Sequence, residues 1–193
     1  MVMAIESTLE QNPEFSYHYY NGTERREFIK QHMSPTILAC YDKLIPGAYK
    51  ADLFRYSVVF THGGCYTDIG FVFLRPLREA LLPDDNFVSS ADGLPPNVEI
   101  NSAFFCAVKG HHILNLTIHK LANQVGKSNY GDDMLDISGP WMLRKGFQAY
   151  HNNESMVLQE TSYTVYPKGV RLLKQGIEFT CRIYPIVNVL HNN

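Results

Sequence analysis

The segment from His62 to Leu77, HGGCYTDIGFVFLRPL, constrains the fold more than any other part of the 193-residue chain. The adjacent glycines Gly63 and Gly64 are expected to end the helix before them. An apolar run follows the acid Asp68, so the segment reads as a strand that carries a carboxylate to the edge of a sheet. Open α/β sheets bind ligands at the carboxyl edge of their strands, and Asp68 is therefore a candidate site residue.

Helical and strand-like patterns alternate along the rest of the chain. Ser34 and Pro35 form a capped helix start, Thr23 is a plausible N-cap for ERREFIKQH, and the segment PGAYKADLFRYSVVFTH predicts a long helix. The alternation predicts a single α/β domain over residues 1–193, with a Rossmann-like mixed sheet flanked by helices. Beyond these elements we expect helices over 111–125 and 139–150, strands over 14–20, 65–69, 72–74, 86–92 and 102–108, and short strands in the tail.

The composition excludes several classes of partner. The net charge is −2, from 17 Lys and Arg against 19 Asp and Glu, and no basic run is present, which argues against nucleic acid. No apolar run approaches the roughly 20 residues of a membrane-spanning helix. No signal peptide is visible, so the cytoplasm is expected, or the secretory-pathway lumen if the chain is a trimmed part of a longer one. The four cysteines lie in no metal-ligand spacing. Buried free thiols are expected, and disulfides stay open as the alternative.

A few polar residues are candidates for chemistry. Asp52 and Arg55 are three positions apart on one helix face, so they form either a surface ion pair or a pair that reads sugar hydroxyls. Asp68 is either a turn residue or an acid that supports a metal on a diphosphate. Asp132 and Asp133, in a polar Gly-Asp-Asp stretch, lie either in a solvated loop or beside the site. The eight histidines form no metal-binding pattern.

Four segments, in order along the chain, resemble the DXD-containing sugar transferases related to the yeast initiating mannosyltransferase. A more distant likeness is to the large glucosylating bacterial toxins. The residues that carry it are NPEFSYHYYN, AYKADLFRYSVVFTHGGCYTDIGFVFLRPL, INSAFFCAVKGHHIL and DISGPWML. The second resembles the family's Asp-x-x-Arg-Tyr helix followed by Gly-Gly-x-Tyr-x-Asp-x-Asp, and the last resembles its Thr-Gly-Pro helix start.

The resemblance implies a GT-A-type fold and sugar transfer from a nucleotide-diphosphate sugar, with retention, to a glycan, protein or lipid acceptor. It implies a divalent metal, Mn²⁺ or Mg²⁺. By position, the donor-binding residues are Asp52, Arg55, Tyr66 and Asn101, and the metal-binding residues are Asp68 and His191. Asp68, Asp132 and Asp133 are the candidate catalytic residues, and no nucleophile is assigned.

Three departures from the family pattern bear on function. Gly70 stands where the second acid of the Asp-x-Asp pair is expected. The family's first strand has no counterpart before NPEF, and its closing tryptophan is absent. Three functions therefore stay open: a metal-assisted transferase, a non-catalytic sugar- or protein-binding relative with a degraded metal site, and a nucleotide-sugar hydrolase.

Overall fold

A computed structural model describes residues 2–92, 99–128, 134–151, 163–166, 170–174, 179–181 and 187–192. The described part has alternating helices and strands. Its helices are α1 (Val2–Gln11), α2 (Gly22–His32), α3 (Pro35–Lys43), α4 (Gly47–His62), α5 (His112–Gly126), α6 (Met134–Ile137) and α7 (Pro140–Tyr150), with a 3₁₀ turn at Leu77–Glu79. Its strands are β1 (Phe15–Tyr19), β2 (Gly64–Asp68), β3 (Phe71–Phe73), β4 (Phe87–Asp92), β5 (Glu99–Ala107), β6 (Tyr163–Tyr166), β7 (Val170–Lys174), β8 (Phe179–Cys181) and β9 (Val187–Asn192).

Seven of these strands form a mixed sheet in the order β1-β9-β2-β5-β4-β7-β6. The β4–β7 pair is parallel and the other pairs of this sheet are antiparallel. The remaining strands, β3 and β8, form a separate antiparallel pair. The prediction of an α/β domain with a mixed sheet is confirmed for the described residues. No helix among them is long and apolar enough to cross a membrane.

The main core lies between one face of the sheet and helices α2 to α7. Its centre is α4, in which every residue from Ala51 to Val59 is buried. A smaller cluster on the opposite face includes Phe73, Leu77 and Phe104. Strand β2 divides its side chains between the two, because successive residues of a strand point to opposite faces: Tyr66 joins the main core and Cys65 the smaller cluster. The alternation turns Asp68 toward the same face as Tyr66.

The helix ends follow local signals in most places. The Ser34 hydroxyl accepts a hydrogen bond from the Ile37 N–H, as predicted, and α4 ends at Gly63 with a φ of 76°, which suits glycine. The prediction of Thr23 as the N-cap of α2 is wrong. Asn21 caps this helix, because its side chain accepts from Thr23 and Glu24 while Glu24 accepts from the Asn21 N–H. Helix α1 was not predicted.

The expectation of free cysteines is wrong for two of the four. Cys65 on β2 and Cys106 on β5 stand directly opposite each other in the antiparallel register, and they form a disulfide. Cys40 is a buried free thiol, as expected, and burial raises its pKa to about 11. The side chain of Cys181 lies outside the described residues. The sequence concealed the pair because 41 positions separate its members.

Candidate functional site

Helix α4 brings Asp52 and Arg55 together as a buried ion pair. The Arg55 Nη2 lies 3.1 Å from the Asp52 Oδ1, and each residue is only 8% exposed. The surface-pair alternative is therefore wrong. Taking charged groups out of water is costly unless they are paired and hydrogen-bonded, so the pair needs further partners.

Arg55 finds those partners on two strands of the sheet. Its Nη1 lies 3.3 Å from the Asp68 Oδ1 on β2, and it donates to the Ser102 carbonyl oxygen on β5 over 2.9 Å. Its Cζ stands 4.6 Å from the centre of the Tyr66 ring, and the Tyr66 hydroxyl donates to the Asp68 Oδ1. Arg55 thus ties α4 to the sheet at the point where β2 ends, which brings Asp52, Arg55, Tyr66 and Asp68 into one cluster.

Two residues without a predicted role complete the surroundings of Asp52. The Ser138 hydroxyl donates to the Asp52 Oδ2 over 2.7 Å. The Tyr56 hydroxyl lies 3.0 Å from the carbonyl oxygens of both Ser138 and Gly139. The signal for Ser138 was its place in the Ser-Gly-Pro helix start, which resembles the family's Thr-Gly-Pro.

Burial sets the electrostatics of this cluster. It raises the pKa of Asp52, and the Arg55 guanidinium and the Ser138 hydrogen bond partly counteract the rise. Burial also raises the pKa of Tyr56 and Tyr66 well above 10, so both phenols stay protonated and donate hydrogen bonds. The Arg55 Nε is buried without a hydrogen-bond partner among the described residues.

Asn101 is the chain neighbour of Ser102 on β5, and its hydrogen bonds with Ala103 and Ser89 lie outside the cluster. Its Oδ1 accepts from the Ala103 N–H over 2.7 Å, and its carbonyl oxygen accepts from the Ser89 hydroxyl over 2.9 Å. Neither bond uses its NH₂ group. The cluster itself combines two carboxylates, which accept hydrogen bonds, with one guanidinium, which donates them, and such groups can bind hydroxyls.

The other predicted site residues are Asp132, Asp133 and His191. Asp132 and Asp133 lie outside the described residues. His191 belongs to β9, where Val187 stands opposite Asp68 and His191 stands opposite Ser16. His191 is four residues beyond Val187, or about 13 Å along the strand, so the register places its backbone at the other end of β2 from Asp68. Its side chain is not described.

The residues present fit a metal ion that takes most of its oxygen ligands from a bound diphosphate. The described residues hold no group of three or more His, Cys, Asp or Glu positioned around one ion. Asp68 is the acid left at the expected position, and its Oδ1 is shared by Arg55 and Tyr66. Mg²⁺ and similar hard cations bind proteins through one or two carboxylates and take phosphate and water for the rest. Asp68 therefore suits such an ion only if a bound diphosphate supplies further oxygens.

A cavity of about 530 Å³ lies away from this cluster, at the other end of β2. Its lining includes His62, Gly64, Cys106 and Lys109. Asp52, Arg55, Tyr66, Asp68 and Asn101 are not among the described residues that line it.

The known proteins that are similar to this chain include sugar transferases. Residues 1–88 match the family model described as the glycosyltransferase sugar-binding region containing DXD motif. The initiation-specific alpha-1,6-mannosyltransferase of Candida albicans is 26% identical over 178 residues, covering 75% of this chain and 46% of that protein. The uncharacterized glycosyltransferase L373 of Acanthamoeba polyphaga mimivirus is 34% identical over 76 residues, covering 39% of this chain and 30% of that protein.

The fold is also that of a solved sugar transferase. The structure of PaToxG Glycosyltransferase superposes with a TM-score of 0.52 at 19% identity, over 64% of this chain and 43% of that one. The chain thus spans less than half the length of each of these proteins. The resemblance predicted from the sequence is confirmed: the chain is similar to the DXD-motif sugar transferases, and its α/β fold is of the GT-A type.

Proposed function

We propose that this chain is a retaining glycosyltransferase that binds a nucleotide-diphosphate sugar and passes the sugar to an acceptor hydroxyl. The observation that carries the proposal is the buried Asp52–Arg55 pair and its contact with Asp68, which is partly exposed, at the end of β2. A hydrophobic core gains little from buried ions, which often stabilise a protein less than apolar residues of the same size. A cluster of this kind is therefore better explained by a ligand than by packing.

Each residue has a role in the proposed reaction. Asp52, Arg55 and Asn101 hold the sugar through its hydroxyls, and Asp68 lies at the diphosphate. Mn²⁺ or Mg²⁺, bound through Asp68 and the diphosphate, would offset the charge on the leaving group. The acceptor hydroxyl, on a glycan, protein or lipid, attacks from the face that the diphosphate leaves. Asp132 or Asp133 is proposed to reach the acceptor or the donor.

The disulfide bears on the compartment. Structural disulfides form and persist in oxidising surroundings and are rare in the cytosol. The Cys65–Cys106 bond therefore supports the secretory-pathway lumen over the cytoplasm as the place where the chain acts.

A second function is supported by a specific observation. Gly70 supplies no second acid, and Arg55 and Tyr66 already occupy one oxygen of Asp68. These features favour a binder that recognises a sugar without transferring it.

A nucleotide-sugar hydrolase would share the donor site and lack the acceptor, so measuring sugar release with and without candidate acceptors separates it from a transferase.

Donor binding is the first test. The melting temperature would be measured with UDP-, GDP- and dTDP-sugars, each with Mn²⁺ and with a chelator. A donor at 100 times its Kd stabilises the folded state by about 2.7 kcal/mol. For a chain of this length we expect a rise of roughly 5–10 °C for one nucleotide sugar. A rise that requires Mn²⁺ supports the metal-assisted transferase, and no rise with any donor would remove the basis of the proposal.

The metal site has its own test at position 70. We expect Gly70→Asp to tighten Mn²⁺ binding about tenfold or more in the presence of donor, because a second carboxylate adds a charged ligand. Isothermal titration of Mn²⁺ measures the change. Gly70→Asn is the control, since it has the same size without the charge and should leave the affinity near that of the parent. An unchanged affinity in Gly70→Asp would show that this position does not face the metal.

A further inference from the structure

We propose that Ser138 is a positioning residue that fixes the Asp52 carboxylate for recognition of the sugar part of the donor. The inference rests on the proposed function and deepens it. Ser138 acts through Asp52. It therefore affects binding of the sugar part of the donor and leaves binding of the nucleoside diphosphate unchanged.

The two oxygens of Asp52 are held from different directions. Arg55 contacts Oδ1 at 3.1 Å, and the Ser138 hydroxyl donates to Oδ2 at 2.7 Å. The last torsion of an aspartate side chain has broad preferences, so one partner alone fixes the plane of the carboxylate poorly. With Ser138 in place, both oxygens have set positions. Without it, one buried oxygen loses its partner and the carboxylate turns about its bond to Cβ.

The main chain around Ser138 is itself held in place by hydrogen bonds. The Tyr56 hydroxyl reaches the carbonyl oxygens of Ser138 and Gly139, each at 3.0 Å. Tyr56 and Asp52 are one turn apart on α4 and therefore lie on the same helix face. On that face Tyr56 donates to the main chain at Ser138 and Gly139, and Asp52 accepts from the Ser138 hydroxyl. Gln124 on α5 donates to the Asp136 carbonyl over 3.0 Å, which anchors the segment that precedes the turn.

The burial of these groups excludes water as a substitute. Ser138 and Tyr56 are fully buried, and Asp52 is nearly so. A hydroxyl that donates to a buried carboxylate contributes more than one at the surface, where water would replace it. The contact therefore carries a definite and measurable part of the site's preference for the sugar.

The test compares two ligands of one protein. The probes are the nucleotide sugar that raises the melting temperature most, and the same nucleoside diphosphate without its sugar. We expect Ser138→Ala to weaken the nucleotide sugar about tenfold in Kd by isothermal titration, the size of one lost hydrogen bond to a charged group. The nucleoside diphosphate should bind as before, and Ser138→Thr should restore the parent Kd.

Two further variants separate positioning from a general loss of structure. Ser57→Ala is the matched control, since Ser57 is fully buried on the same helix and donates to the Leu53 carbonyl over 2.8 Å, away from the cluster. It should change neither Kd. Asp52→Asn should reproduce the selective loss, and adding Ser138→Ala to it should weaken the nucleotide sugar no further, because coupled residues are not additive. If Ser138→Ala does not fold, Ser138→Cys replaces it, because a thiol is a weak donor.

The outcomes distinguish this inference from the proposed function. An unchanged Kd for the nucleotide sugar in Ser138→Ala, or an equal loss for both ligands, overturns the positioning role while the donor site stands. A parent protein that binds neither ligand overturns the proposed function, and this inference with it.

Discussion

Arg55→Met is expected to abolish donor binding and to lower the free energy of unfolding at neutral pH by about 3–5 kcal/mol. Methionine fills most of the space and removes the charge. Asp52 and Asp68 then lose the guanidinium that contacts both of them, and Tyr66 loses the cation above its ring. Removing one partner of a buried ion pair leaves an uncompensated charge, which costs far more than the intact pair contributes.

The loss should depend on pH in a defined direction. Burial already raises the pKa of Asp52 in the parent, and without Arg55 it rises further. A carboxyl with a raised pKa binds more protons folded than unfolded, so its contribution to stability falls as the pH rises above about 4. Urea unfolding at pH 5 and pH 7.5 should therefore show the smaller loss at pH 5.

A surface arginine supplies the control for this variant. Arg26 makes a two-pronged contact with Asp42, with its Nη2 at 2.7 Å from Oδ2, but both side chains are well exposed. Arg26→Met should leave stability and ligand binding nearly unchanged. Equal losses in the two variants, or no loss in Arg55→Met, would contradict the view that burial gives Arg55 its importance.

Gly146→Ala is expected to destabilise the protein by about 1–3 kcal/mol, through overpacking between α5 and α7. A methyl group at this position would lie 2.0 Å from the Thr117 Oγ1 and 2.9 Å from the Ile113 carbonyl oxygen. The second contact is with backbone, which cannot rotate away, so the two helices must separate. Alanine is the better helix former by about 1 kcal/mol, and the clash has to exceed that gain.

Thermal and urea unfolding measure this loss against a glycine in open space. Gly126 ends α5, and a methyl group there meets nothing within 4 Å. Gly126→Ala should be neutral or stabilising by up to about 1 kcal/mol. Combining Gly146→Ala with Thr117→Ala should recover part of the stability, because it removes the nearer of the two contacts. Equal effects of the two glycine variants would show that α5 and α7 are not closely packed at this crossing.

Local signals predicted the elements well because they act within a few residues. Pro35 after Ser34 favours a helix start and Gly63 favours a helix end, so α3 and α4 could be placed from the sequence. Asp52 and Arg55 could be paired for the same reason, since helical spacing alone brings them together. Helix α1 was missed because its polar residues lack a clear start signal.

The rest of the cluster depends on contacts between distant parts of the chain. Ser138 is 86 positions from Asp52, and Ser102 is 47 positions from Arg55. Neither contact has a periodicity that a single sequence exposes. The resemblance to sugar transferases predicted that Asp52, Arg55 and Asp68 belong to one site. Their mutual contacts follow from the register of β2 against β5 and from the packing of α4 on the sheet.

The disulfide between β2 and β5 prevents a shift in the register of these strands. If β2 slipped by a single residue against β5, every side chain of the strand would change sides. Tyr66 and Asp68 would then turn away from Arg55, and Cys65 would enter the main core. The covalent bond lies one position from Tyr66 and joins the strand of Asp68 to the strand of Ser102. A slip would have to break this bond, so the disulfide preserves the register that turns Tyr66 and Asp68 toward Arg55.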